Sequence, residues 1–168
     1  YNELGAAAAA YNADEKELCR LDEIYSAAKT PFEIRSGSEK VTRRFFKICN
    51  NGQESFTGLY KSLTEQGICK GHQCIAYGLY MRDNGIELSE GLAVYGYSIC
   101  SAIVTNCVKL VPLSQLAGQK ILGESFELIS SASEKALFTD INDIGISGAG
   151  FDLRAMQHER LYSRQYMS

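Results

Sequence analysis

The chain has 168 residues, which is enough for one domain with a sizeable hydrophobic core. Hydrophobic residues make up 45% of the sequence and charged residues 22%, a balance that excludes a disordered or fibrous protein. The net charge of -3 argues against nucleic acid as the main partner, because phosphate binding depends on clustered positive charge. We therefore predict a single domain that spans residues 1–168.

The first half of the chain has strong helix signals. Residues 3–29 are rich in Ala, Glu, Lys and Leu, which predicts one long helix or two short ones. Thr30 as N-cap, Pro31 at the first helical position and Glu33 as capping-box partner predict the start of the next helix. The Asn and Gly residues at 50–53 should end it. One side of this helix is basic and carries Lys40, Arg43, Arg44 and Lys47.

The middle of the chain predicts two short helices and one long one. Residues 53–66 and 72–81 have helical periodicity and are separated by glycines at 67–71. A third helix starts near Leu88 and is apolar on nearly every side, so we expect other helices to surround it. Its segment Gly91–Val108 has no charge and is barely long enough to span a membrane, but its Ser, Thr, Asn and Tyr content favours the centre of a soluble bundle.

Pro112 should end or kink that long helix. Residues 113–123 and 126–138 follow as amphipathic helices, and residues 139–150 are predicted to form a flexible loop. Residues 151–168 have helical composition and should depend on docking for their order. No alternating strand pattern of useful length occurs, so the predicted fold is all-α, a bundle of about seven to eight helices.

The cysteines allow two interpretations. An even set could form disulfides, but several lie within apolar helical patterns, where a free thiol acts as a small hydrophobe. We predict reduced thiols and a cytoplasmic protein. The six positions are Cys19, Cys49, Cys69, Cys74, Cys100 and Cys107.

The known motifs for catalysis and metal binding are missing. "GLYKS" at 58–62 lacks the glycine spacing of a phosphate loop, and no serine-hydrolase elbow occurs. Cys69, His72 and Cys74 offer metal-ligand chemistry, but their spacing fits no standard zinc pattern. His158 has no nucleophile in its motif. We therefore predict no catalytic residue, no metal site and no cofactor.

Two segments indicate recognition of other proteins instead. Gln115 and Gln119 lie one helical turn apart and offer amide donors and acceptors, which suit binding and not bond-making. Near the end of the chain, arginine and tyrosine, the residue types enriched at interfaces, fall on adjacent helix stripes. The first stripe contains Arg154, His158, Tyr162 and Tyr166, and the second Gln157, Arg160 and Arg164. The alternative is a solvated terminal helix with a few chance aromatics.

Three motifs together resemble the UreF family of urease accessory proteins. They are "PFEIRSGSEKVTRRF" at 31–45, "NCVKLVPLSQLAGQK" at 106–120 and "MQHERLYSRQYMS" at 156–168, and they place residues 30–168 in register with the family. The family also has a motif with Gly, Ser, Pro and His near its beginning. This chain starts after that point, so we expect the N-terminal part of the family fold to be missing.

The resemblance implies an all-helical, non-enzymatic, cytoplasmic scaffold in the maturation of nickel urease. Such proteins dimerise, bind the accessory protein UreD (or UreH), and through that assembly engage the GTPase UreG, which supplies nickel to apo-urease. No membrane is implied.

Carried over by position, two groups of residues match the family motifs. The central group would face a partner, the dimer mate or the core, and the terminal group would make 151–168 a partner-docking tail. The central group is Lys109, Pro112, Gln115 and Gln119, and the terminal group is Arg154, His158, Tyr162, Arg164 and Tyr166.

Two alternative functions remain at the level of sequence. The chain could carry nickel directly through Cys69, His72 and Cys74. It could also regulate GTP hydrolysis by UreG by supplying a residue in trans, with Arg44 or Arg164 as the candidate.

Overall fold

The protein is all-α in the part of the chain that the structure, a computed structural model, describes: residues 2–49, 52, 54–145 and 148–162. This confirms the predicted fold class, and the described residues contain one helix more than the upper end of the predicted range. The nine α-helices are α1 Glu3–Asn12, α2 Glu15–Ala28, α3 Phe32–Ile48, α4 Phe56–Glu65, α5 Gln73–Asp83, α6 Leu88–Leu110, α7 Gln115–Glu124, α8 Phe126–Ala136 and α9 Ala149–His158.

The first predicted helical segment consists of two helices. The break comes at Ala13, and Asp14 then caps α2 in a capping box with Glu17. The Asp14 carboxylate accepts from the Glu17 amide at 2.8 Å, and the Glu17 carboxylate accepts from the Asp14 amide at 3.0 Å. The open choice between one helix and two is thereby settled in favour of two.

The start of α3 differs from the prediction. The helix begins at Phe32, with Pro31 as N-cap, and no side chain of its own segment caps it. Glu159, at the end of α9, accepts the Phe32 amide at 2.8 Å, and Glu33 lies 2.7 Å from His158 Nδ1. The predicted Thr30–Glu33 capping box is therefore wrong, because the C-terminal helix supplies the cap from a distance in sequence.

The core lies where α1 and α5 cross. Half of the residues of helix α1 are alanine, and its buried residues, all glycine or alanine, let α5 approach closely. A Cβ added at Gly78 of α5 would lie 2.2 Å from the carbonyl oxygen of Ala7, so only glycine fits this contact. Small side chains on both helices therefore set the short distance between them.

A buried carboxylate ties α2 to α4 and to the loop before α5. Asp22, which is 2% exposed, accepts hydrogen bonds from the Tyr60 hydroxyl at 2.5 Å and from the amides of Lys70 and Gly71 at 2.7 and 3.1 Å. The Tyr60 oxygen accepts the His72 amide at 2.8 Å. The network satisfies the buried charge with fixed donors.

Helix α6 is not surrounded by other helices, contrary to the prediction. Its buried residues, Gly91, Leu92, Tyr95 and Gly96, all lie in its first half. By length and composition alone it is long and apolar enough to cross a membrane, and only 22% of its most apolar window is buried in the protein. The reason is geometric: its 23 residues form a rod about 34 Å long, whereas the neighbouring helices have 10 or 11 residues.

The C-terminal region differs from the prediction in two respects. The expected loop contains a helical turn, and the last helix is shorter than its sequence composition indicated. The turn is a 3₁₀ helix at Ile141–Asp143, and α9 begins at Ala149. Helix α9 ends at His158 and has no fully buried residue. It packs on α3, and His158 and Glu159 add polar contacts at the start of that helix.

Candidate partner-binding surfaces

Helices α6 and α7 form a hairpin. Helix α6 ends at Leu110, with Pro112 in the turn, which confirms that the proline ends the helix. The Ser114 hydroxyl accepts the Ala117 amide at 3.1 Å and caps α7. A Cβ on Gly118 would lie 2.7 Å from a methyl group of Val108, so the two helices touch closely just below the turn.

The central group lies at the tip of this hairpin and points to solvent. Lys109, Gln115 and Gln119 are all exposed, and the two glutamines lie one turn apart on α7 as predicted. Leu116 between them is 82% exposed. The glutamines therefore do not face the core, which excludes one of the three environments that the sequence allowed for them.

An uncharged face continues from the tip along α6. It includes Ile103, which is 57% exposed, and a shallow groove of about 500 Å³. A second, more apolar groove of about 560 Å³ lies between α1, α6 and α8, next to Leu4, Ile99 and Leu128. The groove on α6 itself is lined by Val94, Tyr97, Ser98, Ser101, Ala102, Thr105 and Asn106.

The terminal group is only partly a helix stripe. Arg154 donates to Gln157 at 3.0 Å within α9, and His158 pairs with Glu33 of α3. Tyr162 is fully exposed but lies beyond the end of α9, so the predicted stripe through it is wrong. Arg164 and Tyr166 lie outside the described residues.

The central and terminal groups belong to different parts of the fold. Helix α7 packs on α6 and α8, whereas α9 packs on α3. The contact of His158 and Glu159 with the start of α3 could not be predicted, because it joins residues more than 120 positions apart. No local sequence signal pointed to it, because Thr30, Pro31 and Glu33 have the pattern of a self-contained capping box.

The candidate nickel ligands do not form a metal site. Cys69, His72 and Cys74 are all buried, and Nε2 of His72 lies 2.7 Å from the hydroxyl of Ser26. Burial lowers the pKa of His72 to about 4 and raises the pKa of the Cys69 thiol above its usual value. Among the described residues, no group of three or more His, Cys, Asp and Glu side chains could hold a metal ion. Direct nickel carriage therefore has no support in this part of the chain.

All six cysteines are free thiols, as predicted. The Cys69 thiol donates a weak hydrogen bond to the sulfur of Cys19 at 3.9 Å, about twice the length of a disulfide bond. Arg44, the other candidate for action in trans, is exposed on α3, and Arg164 lies outside the described residues.

A helical bundle that leaves long apolar and amide-bearing faces uncovered defines a class of protein that acts through contacts with other proteins. Comparison with known sequences narrows this class. The chain belongs to the UreF family of urease accessory proteins, whose family model matches residues 1–125.

Its relatives carry the same name. The chain is 34% identical over 158 residues to the urease accessory protein UreF of Actinobacillus pleuropneumoniae, a match that covers 94% of this chain and 70% of the relative. It is 31% identical to that of Paenarthrobacter aurescens, covering 88% of this chain and 67% of the relative. It is 28% identical to the UreF of Streptococcus thermophilus, a match that covers 88% of this chain and 62% of the relative.

The family match starts earlier than the motifs indicated. The resemblance placed its beginning near residue 30, whereas the family model matches from residue 1. Helices α1 and α2 therefore belong to the family fold. Their content of Ala, Glu, Lys and Leu hid the match, because these residues are common to many helices.

Proposed function

We propose that this protein is a non-catalytic, cytoplasmic scaffold of urease maturation. It dimerises, binds UreD (or UreH), engages UreG through that assembly, and so serves the delivery of nickel to apo-urease. Membership of the UreF family supports this role, as do the names of the relatives, which describe accessory proteins.

The observation that carries the proposal is the uncovered surface of the α6–α7 hairpin. Leu110, Val111 and Leu116 are each more than half exposed at its tip, beside the exposed Lys109 and the two glutamines. A monomer seldom leaves so many apolar side chains together in water, and such patches mark protein interaction sites. Exposed amides beside them add specificity, because an unpaired buried amide costs about 1–3 kcal/mol.

The uncharged face of α6 supports self-association. In a two-fold dimer the same surface meets itself, so a face with charges of one sign would be repelled, whereas an uncharged face would not. Residues 91–108 carry no charge, and the small side chains Ser98, Ser101 and Ala102 allow close approach of two helices. We assign this face to the dimer mate and the hairpin tip to a partner.

The terminal segment is proposed to dock UreD. Residues 151–168 would then form a tail on a single domain of residues 1–168. Tyr162 offers a fully exposed aromatic side chain, and Arg154 a guanidinium that is bonded only within its own helix in the described contacts. Tyrosine and arginine supply much of the binding energy at protein interfaces.

A pull-down with purified UreD tests the function. We expect the chain to retain UreD, and Tyr162→Ala or Arg164→Ala to weaken retention while circular dichroism stays helical. Lys16→Ala, an exposed change on α2, is the control. Failure of the unaltered chain to retain UreD would contradict the scaffold role, and equal retention by all variants would contradict the docking role of the tail.

A further inference from the structure

We propose that the second half of α3 is a further interaction surface, which binds an acidic surface of another protein. This basic face consists of Lys40, Val41, Arg43, Arg44, Lys47 and Ile48. It is separate from the α6–α7 hairpin and from the contacts that His158 and Glu159 make with α3, and the proposal goes beyond the scaffold role described above.

The face is open because α3 is held along a narrow strip. Only Thr42 and Phe46 of its 17 residues are buried, and they lie one turn apart on the side toward the core. The six residues of the basic face lie on the opposite side, and all six are exposed. Helix α9 packs on α3, but its hydrogen bonds are to Phe32 and Glu33 at the other end.

Positive charge is concentrated on this face. Residues 40–48 include four basic residues and no acidic one, although the whole chain has a net charge of -3. Arg43 makes a long ion pair of 3.5 Å with Glu39. Within the described part of the chain, the side chains of Lys40, Arg44 and Lys47 make no ion pair or hydrogen bond. Their charges are therefore available to an anionic partner.

The apolar edge of the face favours a protein over a nucleic acid. Ile48 is 80% exposed and Val41 41% exposed, and both flank Arg44 on the same side of the helix. Arginine beside apolar side chains is typical of protein interfaces, whereas binding to a phosphate backbone gains little from aliphatic groups. A second copy of the same face would be repelled, because a two-fold contact would bring like charges together.

The probe is a labelled peptide of alternating glutamate and leucine pairs. Oligo-dT of the same net charge is measured in parallel to test the nucleic-acid alternative. We expect the peptide to bind at low salt. The double substitution Lys40→Glu/Arg44→Glu should lower the affinity for the peptide at least about tenfold. The control is Lys16→Glu/Arg20→Glu, which changes the net charge equally on exposed α2 positions. Ile48→Ala should weaken binding of the peptide and leave any binding of oligo-dT unchanged.

Four results would contradict the proposed binding of an acidic protein surface to α3. Equal weakening by the α2 variant would show non-specific charge attraction and overturn the proposal, as would the absence of peptide binding. Tighter binding of oligo-dT would assign the face to nucleic acid instead. If the charge-reversed variant loses its helical circular dichroism, Lys40→Gln/Arg44→Gln replaces it, and unchanged peptide affinity in that variant would also overturn the proposal.

Discussion

Buried polar side chains at single positions hold the first half of the bundle together. Asp22 accepts three hydrogen bonds from α4 and the following loop, so its buried carboxyl oxygens are satisfied by fixed donors. His72 is also fully buried, with Nε2 at the Ser26 hydroxyl and its ring edge against Tyr25. Nδ1 of His72 has no hydrogen-bond partner in the described structure. A proton on this ring would therefore be poorly compensated.

The first prediction concerns the pH dependence of stability. Burial lowers the pKa of His72 from 6.5 to about 4, so the unfolded chain binds more protons than the folded chain between these values. Stability should therefore be fully present above the unfolded pKa and fall as the pH drops through it. From about pH 7.5 to about pH 5, His72 should account for a loss of about 2 kcal/mol.

Urea unfolding of the unaltered chain and of His72→Gln at both pH values provides the measurement. The variant lacks the titrating group, so its stability should fall less between the two pH values by that amount. An equal fall in both proteins would show that His72 is not the group responsible.

At the scale of elements, the crossing of α1 and α5 depends on small residues. The alanines of α1 offer no bulk, and Gly78 lets the backbone of α1 approach to van der Waals distance. Helix propensity explains why this segment is helical, but the close crossing requires the missing Cβ. The same residue type on α3, Gly37, has no neighbouring atom within 4 Å of an added Cβ.

These two glycines form a matched pair for mutagenesis. Gly78→Ala should destabilise the protein by at least about 2 kcal/mol, because the new methyl group meets a backbone carbonyl that cannot move alone. Gly37→Ala should stabilise it by roughly 0.5–1 kcal/mol, because alanine has the higher helix propensity and nothing is displaced. Free energies of unfolding from urea titrations decide the matter, and destabilisation of similar size in both variants would contradict the packing argument.

On the scale of the whole molecule, the buried residues are distributed unequally over the bundle. The first half, with α1, α2, α4 and α5, contains most of the buried core, whereas α6 extends beyond it with one half uncovered. Val94, Ile103 and Leu110 remain exposed on α6, so association that removes them from water should lower the free energy. This unevenness is the physical basis for treating the protein as one member of an assembly.

The proposed dimer contact through the uncharged face of α6 can be tested by adding a charge to it. Ile103→Lys places a charge in the uncharged face, where the dimer mate would bring a second copy of it, and should convert the dimer to a monomer. Light scattering coupled to size-exclusion chromatography measures the mass. Ile68→Lys, at an exposed position in the loop after α4, should leave the dimer intact. A monomer before any substitution would contradict the assignment.

Much of the local structure could be predicted from sequence alone. The all-α class, the end of α6 near Pro112 and the placement of Gln115 and Gln119 one turn apart on a helix all follow from periodicity, proline geometry and helical spacing. The motifs also led to the UreF family without the structure. These features depend on residues close together in the chain.

Only the tertiary structure decided what covers each helix. The apolar pattern of α6 predicted burial, but a pattern shows which residues avoid water and not whether neighbouring helices are long enough to cover them. Likewise, Thr30 and Glu33 have the sequence of a capping box, yet Glu159 caps α3 because the folded chain brings α9 there. Periodicity and capping motifs are local properties, whereas burial and long-range caps depend on the lengths and positions of separate elements.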